Sequence, residues 1–205
     1  MDEIGLFPLN MVLLPAEHVP LHIFEPRYKE LIGKCIDDDA SFGVVLGDGD
    51  SMRSLGTRAR VTEVLDRLPD GRLNVIASGV ERFRIVEMTT GRSFLTARVE
   101  TFEDRDTAAS NDELEVCITA YRRVAVAAGA DDDITDLELE PGLAAFEIAG
   151  RIDLGPEIKQ NLLEMSAESE RLARVTELLS DAVASVEWQR RVQRLATGNG
   201  HVQTP

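Results

Sequence analysis

The sequence predicts an α+β protein, with strands gathered in residues 1–103 and helices in most of the rest. Three observations carry this. Residues 94–102 alternate cleanly, with Phe94, Thr96, Arg98 and Glu100 against Leu95, Ala97, Val99 and Thr101. That is the period of two of a sheet with unlike faces. Pro69-Asp70-Gly71 separates two strand-like runs as a hairpin turn. Leu172, Val175, Leu179, Ala182 and Val186 recur at alternating spacings of three and four, one narrow stripe that packs against another helix.

In chain order, Ile4–Leu9 and Val19–Phe24 are short apolar runs broken by prolines, which suits edge or bulged strands. Between strands, a helix is expected over Pro26–Ile36. Proline in its first turn costs no hydrogen bond, and Tyr28, Leu31, Ile32 and Cys35 form an apolar stripe. Ser41–Leu46 reads as a strand ended by Gly47-Asp48-Gly49-Asp50. Gly56–Leu68 and Arg72–Ser78 flank the hairpin turn, and Phe83–Met88 is a further strand. Residues 104–113 are polar and small, a connector. Helices are expected over Leu114–Ala128, ended by Gly129, from Pro141 or Gly142 to Ile152, from Gly155-Pro156, and after a Ser166 cap. The division is a β-rich lobe (1–103), a linker (104–113), a helical lobe (114–196) and a disordered tail (197–205).

Composition narrows the function. Of 205 residues, 43% are hydrophobic, ample for a core. Acidic residues number 37 against 22 basic, a formal net charge of -15, which disfavours nucleic acid and anionic membrane surfaces. The first ten residues, MDEIGLFPLN, lack the basic and apolar regions of a signal peptide, and no run reaches the ~18 apolar residues of a membrane helix. Cys35 and Cys117 read as buried free thiols of a cytoplasmic protein, with a disulfide as the alternative.

Several segments together resemble the Lon protease N-terminal domain. They are Leu6-Phe7-Pro8-Leu9, Val12-Leu13-Leu14-Pro15, and Pro20 through Phe24-Glu25-Pro26-Arg27-Tyr28. Phe42-Gly43-Val44-Val45, Gly56-Thr57, Gly79 through Ile85, Lys159 through Glu164, and Arg171-Leu172 follow in the same order. The resemblance spans about residue 4 to residue 180. It implies a PUA-like twisted β-barrel lobe followed by a helical bundle, the two lobes forming one LON domain. It also implies contact with unfolded or tagged polypeptides, and a structural role for Phe7, Pro8, Phe24, Glu25, Pro26, Arg27, Tyr28 and Gly43. Family members that degrade proteins continue into a long helix, an ATPase module and a Ser-Lys peptidase. This chain stops about where that helix would begin, so a stand-alone, non-catalytic recognition domain is expected.

The residues offer no catalytic machinery of their own. Gly33-Lys34 is followed by Cys35 and lacks the first glycine of a phosphate-binding loop. Lys29, Lys34 and Lys159 read as solvated charges, and Ser78-Gly79 lacks a nucleophile-elbow pattern. His18 and His22 share a strand face about 13 Å apart, too far for one metal. Asp37–Asp39 and Asp131–Asp133 do not follow a calcium-loop scheme. Glu25 and Arg27 form an ion pair or a helix cap. No cofactor and no metal are expected.

Met11-Val12-Leu13-Leu14-Pro15 is an apolar segment whose prolines restrict its pairing. Two readings stand. Met11, Leu13 and Leu14, with Phe94, form an exposed patch or strand edge that captures extended peptide, or these side chains close the core. The leading function is polypeptide recognition, with unfolded or extended chains and a separate protease as partners; no oligomeric state is assigned. RNA binding through a face of Arg58, Arg60, Arg67, Arg82, Arg84 and Arg98 is the alternative from the PUA likeness, and a cryptic hydrolase is a third.

Overall fold

Proline and glycine decide where this chain can pair. The structure, a computed structural model, describes residues 2–47, 51–105, 109–129, 137 and 139–198. Along them run β1 (Asp2–Leu9), β2 (His18–Ile23), α1 (Pro26–Asp37), β3 (Phe42–Leu46), β4 (Leu55–Arg67), β5 (Leu73–Thr89) and β6 (Thr96–Thr101). Then follow α2 (Asn111–Ala128), α3 (Ala144–Gly150), α4 (Pro156–Glu164) and α5 (Glu168–Gly198). The α+β class is observed, with α1 set among the strands.

The sheet order is β2-β5-β4-β3-β1-β6, and β6 pairs with β5 as well as β1. Pairing among β5, β4, β3, β1 and β6 therefore runs in a closed circuit. Among the described strands β2 alone has a single partner, β5. Edge placement thus holds for β2 and its Pro20, but not for β1. That strand pairs with β6 through Asp2–Gly5 and with β3 through Leu6–Leu9. Pro8 lies in the second stretch, where one side carries no ladder, so its missing N–H goes unneeded.

Where two strands were expected over 72–78 and 83–88, β5 is one strand of 17 residues. Its register against β4 shifts between Arg58 and Ala59, opposite Val80, which puts the two apolar runs out of phase and hides their continuity. Gly79 sits at that point because the loop before β2 presses against it. A Cβ there would lie 2.1 Å from the Leu14 carbonyl oxygen. The expected hairpin turn forms, with Leu68 N–H to Arg72 O and Gly71 N–H to Leu68 O both at 2.9 Å. Gly71 takes φ 79, which a side chain would resist.

Three apolar clusters result. Residues of α1, including Tyr28, Leu31 and Ile32, pack on Phe42, Val75 and Ile23. Ile4, Leu6, Val45, Phe83, Ala97 and Val99 form a second cluster. The helices form the third, and it takes in Val12, Leu14, Leu46 and Leu55, so the helices rest directly on strand and loop residues.

Helix boundaries shift from expectation for local reasons. Helix α2 starts at Asn111 because Ser110 and Glu113 make a reciprocal capping box, and Gly129 closes it at φ 85. Helix α5 begins at Glu168, which leaves Ser166 outside the cap position, with its hydroxyl accepting from Arg105 Nε. Leu172, Val175 and Leu179 are buried as the stripe requires and Ala182 is half-buried. The Val186 side chain, Asp48–Asp50, Asp131–Asp133, His201 and the tail from 199 lie outside the described residues.

A charge network joins the helices to the strands. Arg171 is fully buried and reaches Asp104 Oδ2 and Glu168 Oε2, each at 2.5 Å. Arg82, also buried, pairs with Asp104 and donates to the carbonyls of Leu163 and Met165 at 2.9 and 2.6 Å. Burial alone would push the Asp104 carboxyl up, but the Arg171 and Arg82 guanidiniums outweigh it and hold it below the usual carboxylate range. So the beginning of the segment expected to be a plain connector is a point of attachment.

Candidate functional site

The loop before β2 is not an exposed patch. Leu13 and Leu14 are 1% and 0% exposed and enter different clusters, Leu13 among the strands and α1, Leu14 among the helices. Adjacent side chains on extended backbone point to opposite sides, and this loop runs between two cores rather than along one. Met11 is half-buried, and Phe94 is 9% exposed, packed where Gly5 leaves room. The Glu17 carboxylate fixes the loop. Its Oε2 accepts from Leu14 N–H at 2.9 Å and its Oε1 from Lys159 Nζ at 2.5 Å. Lys159, read from sequence as a solvated charge, is thus a shielded ion-pair partner, with a side chain 12% exposed. The four residues expected to bind peptide do not converge on one open surface.

An open apolar groove lies instead between the end of β1 and the β2–α1 turn. It holds about 380 Å³ and is lined by Phe7–Asn10, His22–Glu25, Arg27, Tyr28 and Gly47. Each side follows from the sequence. Phe7 and Leu9 share one face of β1, where Phe7 is buried in the core and Leu9, at the strand end, is half-buried at the rim. Pro26 opens α1 and sets the sharp turn after β2, which carries Phe24 outward and Tyr28 inward.

The floor is aromatic. Phe7 and Tyr28, 5% and 6% exposed, meet with ring centroids 4.3 Å apart. Burial, with Glu25 adding to it and Arg27 opposing it, pushes the Tyr28 hydroxyl pKa up, so it stays neutral. The Arg27 guanidinium lies 4.5 Å over the Tyr28 ring and pairs with Glu25 at 2.9 Å. Glu25 occupies the N-cap position without a side-chain cap bond, so of its two expected roles it takes the ion pair.

The rim is different. Phe24 is 58% exposed and stacks on His22 with centroids 5.9 Å apart. His22 Nδ1 sits 2.6 Å from Asn74 Oδ1, which holds the ring in place. A large exposed phenylalanine beside a buried aromatic floor can take apolar side chains from a partner. Within the Phe24–Tyr28 motif, Tyr28 is therefore structural and Phe24 is the surface residue. His22 and Leu9 were missed as groove residues. Their signal was adjacency to the proline-broken run ends, which place both at strand termini.

The other chemistries find little support in the geometry. Lys29 donates to the Asp70 carbonyl, Lys34 to Glu30 and Lys159 to Glu17. Of the arginines expected to make a basic face, Arg58 pairs with Glu81 and Asp2, Arg82 with Asp104, and Arg98 with Glu87. Cys35 and Cys117 are free and buried; burial, with Asp38, pushes the Cys35 thiol up to about 11. Among the described residues no group of His, Cys, Asp and Glu clusters as a metal site, and no helix is long and apolar enough to cross a membrane.

Comparison with known proteins settles the family. The model of the ATP-dependent protease La (LON) substrate-binding domain matches residues 3–181. This chain belongs to the LON substrate-binding domain family. A Lon protease of Paraburkholderia phytofirmans is 30% identical over 201 residues, 89% of this chain and 24% of the relative. Lon protease 2 of Myxococcus xanthus is 28% identical, over 85% of this chain and 23% of its own length. The LON-family chain described here thus spans about a quarter of the curated relatives it matches. A Lon N-terminal domain protein from Xanthomonas campestris superposes with a TM-score of 0.64 at 25% identity, covering 88% of this chain and 98% of its own. The N-terminal domain of Mycobacterium avium complex Lon protease shares the fold, with a TM-score of 0.69 at 18% identity and 88% and 99% coverage.

Proposed function

We propose that this chain is a non-catalytic recognition domain for unfolded or extended polypeptide, and that the groove under Phe24 is where apolar side chains of the bound chain insert. The exposure of Phe24 above a buried aromatic floor carries the reading. Membership of a substrate-binding family supports it. On this reading the closed circuit of five strands is a PUA-like twisted barrel and α2–α5 a helical bundle, two lobes of one LON domain. The partners are cytoplasmic polypeptides, with a separate protease as the machine that receives them. The reading assigns the chain no hydrolysis of ATP or peptide, and the contacts of Lys29, Lys34 and Lys159 with oxygens of Asp70, Glu30 and Glu17 support it.

The test is equilibrium binding of fluorescein-labelled reduced casein, followed by anisotropy. Wild-type protein should bind at micromolar concentration, and Phe24→Ser should weaken binding at least tenfold while its unfolding temperature stays unchanged. An absence of binding at tens of micromolar sinks the reading, as does a variant that binds like the wild type.

A further inference from the structure

We propose that the free edge of β2 takes the bound polypeptide as an added strand, so that backbone hydrogen bonds along β2 hold the segment whose side chain enters the groove. This rests on the groove being a polypeptide site, and specifies how the chain lies in it.

The geometry comes from one hydrogen bond and one register. Gly79 N–H donates to Glu17 O at 2.9 Å, so Glu17 faces its partner on β5. Pairing continues without a shift from His18↔Ser78 to Ile23↔Leu73. Antiparallel residues alternate between hydrogen-bonded and non-hydrogen-bonded pairs. Val19, Leu21 and Ile23 therefore turn their N–H and C=O toward β5, and His18, Pro20 and His22 turn theirs away. Pro20, which has no N–H, stands among the outward residues, where it leaves the β2–β5 ladder intact. Beyond the sheet ladders, no backbone–backbone hydrogen bond among the described residues uses His18, Pro20 or His22, and all three are exposed.

The outward row presents two N–H donors and three carbonyls, the pattern an extended chain completes. It also lies where an added strand would meet apolar surface. His22 and Ile23 line the groove, so an inward side chain of the added strand at that end drops onto Phe7 and Tyr28. In a chain of net charge -15, β2 (HVPLHI) carries no carboxylate, and at its groove end Glu25 is paired with Arg27. The occupant that fits is an extended, apolar polypeptide segment, favoured over a folded partner because the groups on offer are backbone groups in strand register. Pro20 supplies no donor, which shortens the pairing and limits association of this edge with copies of itself.

The test is amide hydrogen exchange on the full chain, with and without reduced casein as the probe. Strand addition slows exchange at His18 and His22 by tenfold or more at saturating probe and leaves Val19 and Leu21 unchanged. Binding with unaltered exchange at His18 and His22 overturns the inference and leaves the groove standing; no binding overturns both. A second arm compares His18→Pro with His18→Ala. His18 is about 13 Å along β2 from His22, away from the groove, and proline there deletes an outward donor while removing no β2–β5 ladder bond. Loss of one such bond should weaken casein binding about three- to tenfold in the proline variant alone. Equal affinity of the two variants, both folded, would also overturn it.

Discussion

Arg171 Nη2 lies 2.5 Å from Asp104 Oδ2, and through this pair helix α5 is tied to the chain just beyond β6. Arg82 on β5 shares the same carboxylate. Two buried guanidiniums share this one carboxylate, so its removal leaves Arg82 without a carboxylate partner while Arg171 keeps only Glu168.

Replacement of Asp104 by alanine should therefore cost about 3–5 kcal/mol, because Arg171 and Arg82 stay buried and lose their shared acceptor. Urea unfolding at pH 7 measures this. The pH dependence has a definite sign. A carboxyl held below its unfolded value of about 3.9 stabilises the fold above that pH, and the contribution disappears as pH falls through the lower folded value. The difference between wild type and Asp104→Asn should be constant near neutrality and shrink below about pH 4. A difference that grows on acidification would contradict the pairing.

Gly43→Ala should destabilise by about 1–3 kcal/mol. An added Cβ would lie 2.6 Å from Phe83 Cζ and 2.9 Å from both Ile4 Cδ1 and Leu6 Cδ2, inside the cluster that seals the pairing circuit. Phe83→Leu in the same background relieves the closest of these contacts, so the double variant should recover part of the loss in a denaturation series.

Leu13 and Phe24 should separate folding from surface function. Leu13→Asp places a charge in a fully packed site and should cost about 4 kcal/mol or more. Phe24→Ser, at a residue 58% exposed, should change stability by no more than about 0.5 kcal/mol. Thermal melts of the two variants check this.

The thiols should be protected until the chain opens. With its pKa pushed up to about 11, Cys35 is thiolate to only about one part in a thousand at pH 8. Cys117 is buried and shifted the same way. An aromatic disulfide reagent should titrate neither thiol within minutes in native buffer and both in urea. Rapid native reaction would mean that the α1 face or the α2–α5 seam opens readily.

Much of the fold was legible because it is local. The 68–72 turn, the α1 stripe of Tyr28, Leu31, Ile32 and Cys35, and the period of two in β6 each depend on neighbours in sequence. What could not be read depends on distant partners. Arg82 looks like a surface charge on a strand until Leu163 and Met165, 81 and 83 residues later, offer their carbonyls. Lys159 looks solvated until Glu17, 142 residues earlier, meets it. The candidate site suffered from the same limit. Leu13 and Leu14 read as an unpaired apolar segment, and only the presence of cores on both sides of the loop shows why they are buried. Phe24 read as part of a structural motif because Pro26 marks the turn, but only the packing of Tyr28 on Phe7 shows which aromatic of the motif goes inward.

The most direct measurement is photo-crosslinking from position 24. With benzoylphenylalanine in place of Phe24, irradiation beside reduced casein should give a covalent adduct. The same group at Val126, an exposed apolar position on α2, should give none. Adducts of equal yield from both positions, or from Val126 alone, would contradict a polypeptide site under Phe24.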